Sequence, residues 1–396
     1  MSDDALRGEA RAAFDAVLAR RRPDRPATVL GAGNDDVEPG RRFLAALAPG
    51  GWAVPTWPVE AGGRAGSVEE AAVIGGVLTD YDIPDLYPYL VGLHVVGPTL
   101  LAIATPEQRQ RWLPAIADGS VIWCQLFSEP GAGSDLATLG ARAERDGDSW
   151  RVTGQKVWSS RAVYAELGFL LARTDPDVPK HSGVTAFALD MHAPGVEVRP
   201  LRQMNGDAHF SEVFLDGAPV ADADRIGATG DGWRVARTAL ANERGALGAV
   251  GGGTGVSTAR LAALARARGR GDDATARDRV VRAHVMAEAA RLTRARARAR
   301  AEAGRTPGPE GSGGKLAGSA TFKAAADTAM ALLGPGGVAG DDPTADEWRT
   351  LFLTAPSVSI RGGTDEIQRN IVGERVLGLP AEPRVDTDVP WKDVPR

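Results

Sequence analysis

The sequence predicts an α+β protein in three parts: an N-terminal α-helical domain over residues 1–120, a middle β-barrel or sandwich domain over 121–230, and a C-terminal four-helix bundle over 231–396. Three observations carry this. Helical apolar periods alternate with turns as far as residue 120, β-rich runs with turn punctuation recur from Val121 to about Val220, and long helical periods return after Gly230-Asp-Gly232. At 396 residues the chain also exceeds the roughly 250–300 at which one core stops growing.

In the first part, an amphipathic helix is expected around Ala5 to Arg20, followed by a polar Pro/Gly/Asp passage that reads as loop. Helical periods follow at Phe43 to Leu47, Val68 to Tyr81 and Leu90 to Ala104, with the Trp52 to Gly63 loop among them. Thr105-Pro-Glu-Gln108 is a helix start: Thr105 is the N-cap, Pro106 opens the first turn and Gln108 completes a capping box.

In the second part, strands are expected at Val121 to Phe127, Trp150 to Thr153, Val157 to Ser160, Gly168 to Arg173, Val184 to Leu189, Val196 to Leu201 and Ser211 to Leu215, with Asp146-Gly147 as a hairpin turn. In the third, helices are broken near Gly269 to Asp273 and by the Thr306 to Gly314 stretch, which gives two helical pairs and hence a bundle. Arg291, Arg294, Arg296, Arg298 and Arg300 scatter around their helix and read as a solvated face.

Composition narrows the function classes. A net charge of −5 gives no electrostatic case for a nucleic-acid partner. The single cysteine, Cys124, excludes an intramolecular disulfide, and no 18-residue apolar run or leader pattern is present, so a soluble, cytoplasmic protein without a membrane partner is expected. No metal-ligand spacing stands out.

Chemistry concentrates in three segments. Trp123-Cys-Gln-Leu-Phe-Ser-Glu-Pro-Gly-Ala-Gly-Ser-Asp135 is an apolar β run breaking into a glycine-rich turn, where backbone without side chains lets a flat or anionic ligand approach. Gly154-Gln-Lys-Val-Trp-Ser-Ser160 and Ser359-Ile-Arg-Gly-Gly-Thr-Asp-Glu-Ile-Gln-Arg369 follow in order. Together they resemble the two flavin-binding segments and the C-terminal active-site loop of acyl-CoA dehydrogenases, a likeness that runs from about Gly40 to Pro380.

The resemblance implies bound FAD. It sets Phe127 and Ser128 against the flavin ring, Gly133 and Ser134 along the flavin and substrate path, Trp158 on the isoalloxazine, and Ser160 in place of a usual threonine near N5. Thr364 and Glu366 fall at loop positions that touch flavin in relatives. The family turn that reaches a neighbouring subunit's FAD, of Leu-Gly-Gly-Asn-Gly type, reads Leu333-Gly-Pro-Gly-Gly337 here, with the Gly334, Gly336 and Gly337 amides as candidate donors; the usual pyrophosphate-clasping arginine box is not recognisable around Arg266 to Arg270.

The expected base also departs from the pattern. Many relatives place a glutamate directly before the Gly-Thr of the C-terminal loop; this chain has Gly362, which keeps only a backbone N–H to polarise a thioester carbonyl. On the helix after Gly232, however, Glu243 shares a stripe with Ala236, Leu240, Leu247 and Val250, so a carboxylate lies on the face that should be buried. The Glu243-Arg244 pair resembles that of branched-chain and some steroid-type acyl-CoA dehydrogenases, which carry the base on this helix. Burial favours the neutral carboxyl, which suits a group that must take a proton, and Arg244 is expected to orient it.

The resemblance therefore implies dehydrogenation of an acyl-CoA or acyl carrier protein thioester to the trans-2-enoyl product, electrons passing to an electron-transfer flavoprotein, in a homo- or hetero-oligomer such as a tetramer. A flavin oxidase or monooxygenase on the same fold, and a catalytically silent partner subunit, are the alternatives. Rapid reoxidation of reduced flavin by air would mark the first, and co-purification with a homologous chain the second.

Overall fold

The computed structural model describes residues 2–21, 36–250, 257–302, 308–309, 311–339 and 342–394, with only the backbone described for 244–250, 298, 301–302 and 343. They fall into two compact bodies. One comprises Met1–Arg202, Ala208–Ala246 and Val385–Arg396, the other Gln203–Asp207 and Leu247–Arg384.

The first body begins with α1 (Asp3–Val17), which starts two residues before the expected helix because the Ser2 hydroxyl accepts from the Ala5 N–H at 3.3 Å and caps it. Leu6, Ala10 and Phe14 form its buried stripe, and Phe14 meets Trp52 and Tyr81 edge-on with ring centroids 5.5 and 5.4 Å apart. After α2 (Glu38–Leu47) and α3 (Val68–Leu78), the period from Leu90 to Ala104 resolves into a π-helical stretch, Val91–Val96, and α4 (Gly97–Ile103). Pro98 has no N–H to give the His94 carbonyl, and the chain takes the wider register just ahead of it. The expected capping box at Thr105 and Gln108 is present and opens α5 (Pro106–Ala117).

The β region is one eight-stranded mixed sheet. Its strands are β1 (Trp123–Leu126), β2 (Arg142–Asp146), β3 (Ser149–Ser160), β4 (Leu167–Arg173), β5 (Val184–Asp190), β6 (Val196–Leu201), β7 (Phe210–Ala221) and β8 (Arg225–Ile226), in the order β6-β7-β3-β2-β4-β5-β8, with β1 pairing parallel to β4. The Asp146-Gly147 signal makes the β2–β3 hairpin, Asp146 pairing with Ser149. The two runs expected at Trp150 to Thr153 and Val157 to Ser160 are instead one bent strand, because register shifts after Val152 and Lys156 absorb the irregularity. Gly154 is required at the bend: a Cβ there would lie 2.6 Å from the Ala141 Cα.

Beyond β8 runs α6 (Gly232–Val250), whose residues as far as Ala246 belong to the first body. The chain returns to this body at its end: the Trp391 N–H donates to the Val178 carbonyl at 2.9 Å and its indole N–H to the Thr138 carbonyl at 3.2 Å.

The second body contains α7 (Thr258–Ala267), α8 (Ala274–Glu302), α9 (Gly311–Leu333), α10 (Pro335–Val338), α11 (Pro343–Thr354) and α12 (Asp365–Ile371). The α7–α8 break falls where Gly269 takes φ +65°, and Arg270 reaches the Ala331 carbonyl at 2.7 Å. Helix α9 begins inside the expected breaker stretch, since Gly311 to Gly314 are helical. Arg291, Arg294, Arg296 and Arg300 are exposed on α8, as a solvated face requires; the Arg298 side chain lies outside the described residues.

Candidate active site

The signature segment leaves β1 with its side chains facing inward. Phe127 is buried with its ring 5.2 Å from Phe169, so what it presents outward is backbone. Ser128 is half-buried, and its carbonyl accepts from the Val157 N–H at 2.9 Å, which joins the first segment to the second. Gly133 and Ser134 are exposed, and a Cβ at Gly131 or Gly133 would meet nothing within 4 Å, so the turn is open to an approaching ligand.

Sequence reasoning missed what holds this turn. Glu129 accepts from the Gly140 and Ala141 N–H groups at 2.7 and 2.9 Å and from the Lys156 ammonium at 2.7 Å. Lys156 is wholly buried and also donates to the Phe127 carbonyl at 3.2 Å. Burial pushes its ammonium below the usual lysine range, against the pull of the Glu129 carboxylate. A signal existed: Trp150, Val152 and Lys156 are buried on alternate positions of β3, so a lysine stood on the core face.

Trp158 is 60 % exposed, with φ +61° at the second irregularity of β3 and Phe210 edge-on at 5.9 Å. A bulky non-glycine residue held in the left-handed region stores strain of order 1–3 kcal/mol, a cost that clusters at ligand sites. Ser160 is half-buried and paired with Phe210. An outward indole in this conformation beside an open glycine turn fits a flat aromatic cofactor such as FAD.

Glu243 lies where the helical period puts it. Gly232, Val235, Ala236 and Ala239 form the buried face of α6, and half-buried Glu243 continues it. Its carboxylate accepts from the Gln125 side-chain amide at 3.5 Å, which links α6 to the middle of β1. Next to it, the Asn242 amide donates to Thr99, whose hydroxyl donates to the Val95 carbonyl of the π-helical stretch. The side chains of Arg244, Leu247 and Val250 lie outside the described residues. Cys124 offers no nucleophile, since burial pushes its thiol up to about 12.

In the second body the C-terminal loop is shaped by Gly362 and Gly363, with φ +66° and +85°, and the Gln368 amide donates to the Gly362 carbonyl at 3.2 Å. Thr364 caps α12 through the Ile367 N–H at 3.2 Å, and exposed Glu366 pairs with Arg369 at 3.3 Å. Asp365 sits against Lys315 at 3.0 Å and Lys323 at 3.6 Å. Its burial works against the charged form, but Lys315, Ser359 and the lysine charges outweigh it and hold the carboxyl below the usual range, which makes Asp365 a poor acceptor of protons. At the altered turn, the Gly334 N–H donates to the Met330 carbonyl at 3.0 Å and the Gly337 N–H to the Gly334 carbonyl at 2.9 Å. Two of the three expected donors are therefore spent on backbone carbonyls, one in the last turn of α9 and one in the turn itself.

A cavity of about 570 Å³ lies beside the signature turn, walled by Glu129, Asp135, Thr138 and Trp391. Nothing local in the chain pointed to it, because Trp391 is more than 250 residues from the turn in the chain. Among the described residues no helix is long and apolar enough to cross a membrane, and no group of three His, Cys, Asp or Glu side chains converges as a metal site would.

Comparison with known proteins matches three family models end to end: the acyl-CoA dehydrogenase N-terminal domain over residues 3–120, the middle domain over 124–218 and the C-terminal domain over 230–377. Acyl-CoA dehydrogenase IpdE1 of Mycobacterium tuberculosis is 40% identical over 350 residues, covering 87% of this chain and 89% of that protein. Acyl-CoA dehydrogenase FadE34 of the same organism is 42% identical over 347 residues, covering 86% of this chain but 47% of that protein, so the chain spans about half its length. Among solved structures, the Tcur3481-Tcur3483 steroid ACAD superposes with a TM-score of 0.79 at 29% identity, covering 96% of this chain and 98% of that one.

Proposed function

The chain belongs to the acyl-CoA dehydrogenase family, and from that premise we propose that it removes the α-proton of an acyl thioester with Glu243 as the base. The single observation that carries the assignment is a half-buried carboxylate continuing the buried face of α6 and held by Gln125 of the signature strand. Gly362 has no side chain to take a proton, and Asp365 is held as an anion by Lys315.

FAD, when bound, supplies the acceptor for the β-hydride at N5, leaving the trans-2-enoyl thioester. The chain's own residues do the rest. Trp158 offers an aromatic wall, the open turn at Gly133 and Ser134 admits the ligand, and Gln125 keeps the Glu243 carboxylate in one orientation. The carrier is CoA or an acyl carrier protein, and the electrons pass to an electron-transfer flavoprotein. The Tcur3481-Tcur3483 complex is a steroid ACAD, which supports testing bulky polycyclic thioesters first. We assign the chain to a homo- or hetero-oligomer; exposed Val281, Val285 and Leu292 along α8 support this.

Glu243→Gln tests the reading. It removes the base but keeps size and polarity, so flavin reduction by a thioester under anaerobic conditions should slow by about 10²–10⁴-fold while bound flavin is retained. Near-normal reduction places the base elsewhere; loss of flavin makes Glu243 structural.

One observation favours a second reading, a silent partner subunit. The Gly334 and Gly337 amides donate to the Met330 and Gly334 carbonyls, which weakens the expected reach to FAD. On that reading the chain co-purifies with a homologous flavin-bearing chain and is colourless alone.

A further inference from the structure

One peptide unit of the signature segment faces two ways. Its carbonyl end, Phe127 C=O, accepts from the Lys156 ammonium at 3.2 Å; its N–H end is that of Ser128, one of the residues the flavin reading sets against the ring. A donor on the carbonyl of an amide draws electron density through the amide and makes its N–H a stronger donor, and linked hydrogen bonds polarise one another in a low-dielectric interior.

The ammonium is fixed in place. Lys156 is wholly buried, and its second bond goes to Glu129, whose carboxylate is itself held by the Gly140 and Ala141 amides. From the other side the Val157 N–H donates to the Ser128 carbonyl at 2.9 Å. The second flavin-type segment therefore holds the peptides on both sides of Ser128, Lys156 the one before it and Val157 the one after, and nothing in the proposed proton transfer uses Lys156.

We propose that Lys156 is a positioning residue that sets the reduction potential of the bound flavin through the Phe127–Ser128 peptide. Two-electron reduction enriches the polar edge of an isoalloxazine in electron density. A strengthened N–H donor aimed at that edge binds the reduced form more tightly than the oxidised form, and the potential rises. The inference rests on the flavin reading above and adds a residue that touches neither substrate nor cofactor.

The test compares two variants with the unaltered chain, measuring FAD dissociation by absorbance and the midpoint potential by dye equilibration. Lys156→Met removes the ammonium. The double variant Lys156→Gln with Glu129→Gln replaces the ion pair by two neutral amides, so no buried charge is left alone and the fold is spared. The double variant should hold FAD within tenfold of the unaltered chain; in it, and in whatever Lys156→Met retains FAD, the equilibrium shifts at least tenfold toward oxidised flavin, a fall of about 30 mV for a two-electron couple. A double variant that keeps FAD and holds its potential within threefold of that equilibrium overturns the proposal. Loss of FAD from the double variant overturns it too, since a residue that tunes the ring does not decide whether the ring binds. An unaltered chain that takes up no FAD overturns the flavin reading itself.

Discussion

Each body of the molecule anchors a glycine-rich loop with a lysine and a carboxylate, and the two anchors differ in depth. In the first body Glu129 sits in the loop with an 11 % exposed side chain and meets Lys156, which has no exposed surface at all. In the second, Asp365 is equally covered, but Lys315 and Lys323 keep 23 % and 42 % of their side-chain surface in water. A charge that keeps its water loses little when its partner goes, whereas a dry charge left alone carries the whole desolvation cost. The deep anchor is thus expected to be a point of failure for its loop, and the shallow one a trim on a loop already shaped by two left-handed glycines and a helix cap.

The largest expected effect is at the deep anchor. Lys156→Met leaves Glu129 buried without its cation and should cost about 3–5 kcal/mol in urea unfolding followed on the first body. Asp365→Asn should cost less, about 1–2 kcal/mol, because the lysines it releases regain solvent. If the two variants cost the same, depth is not what separates the anchors.

The sign of the pH dependence sharpens the contrast. The folded-state pKa of Asp365 is depressed, so its contribution is present above the ordinary carboxylate value and lost as pH falls through the folded one. The gap between Asp365→Asn and the unaltered chain should therefore close in acid.

Asp222 separates depth from location, since it is a shallow anchor within the first body. It accepts from the Trp150 indole at 2.8 Å and from Arg225 at 3.0 Å, and its carboxyl is lowered to about 2. Discounted for solvent screening, Asp222→Asn should cost about 1 kcal/mol above about pH 4, a gap that vanishes toward about pH 2. A cost near that of Lys156→Met would show that the first body, and not burial, makes an anchor matter. The smallest effect is expected at the exposed Arg291–Glu288 pair on α8, where Arg291→Ala should leave the urea midpoint unchanged within error.

Much of this molecule was legible in its residues, because period and punctuation are local. The Thr105 capping box, the hairpin at Asp146-Gly147 and the break at Gly269 are decided within a few residues, and the structure has them where those signals stand. The stripe that exposes Glu243 as out of place is one helix long and could be drawn by counting. Other features depend on what lies opposite in space. That two short β runs are one bent strand follows from their pairing with β7, and that two of three glycine amides are spent follows from how the Leu333 to Gly337 turn folds onto the end of α9 and onto itself.

By itself, then, the sequence determined the order of the helical and β regions, the glycine turns and the helix carrying Glu243, since each is set by residues that are neighbours in the chain. Only the tertiary structure decided what each carboxylate meets. Glu129 and Asp365 are bound by Lys156 and Lys315, 27 and 50 residues away, while Glu243 meets Gln125, 118 residues away. The state of a carboxylate depends on the charge and water around it, and those are supplied by parts of the chain that only folding brings together.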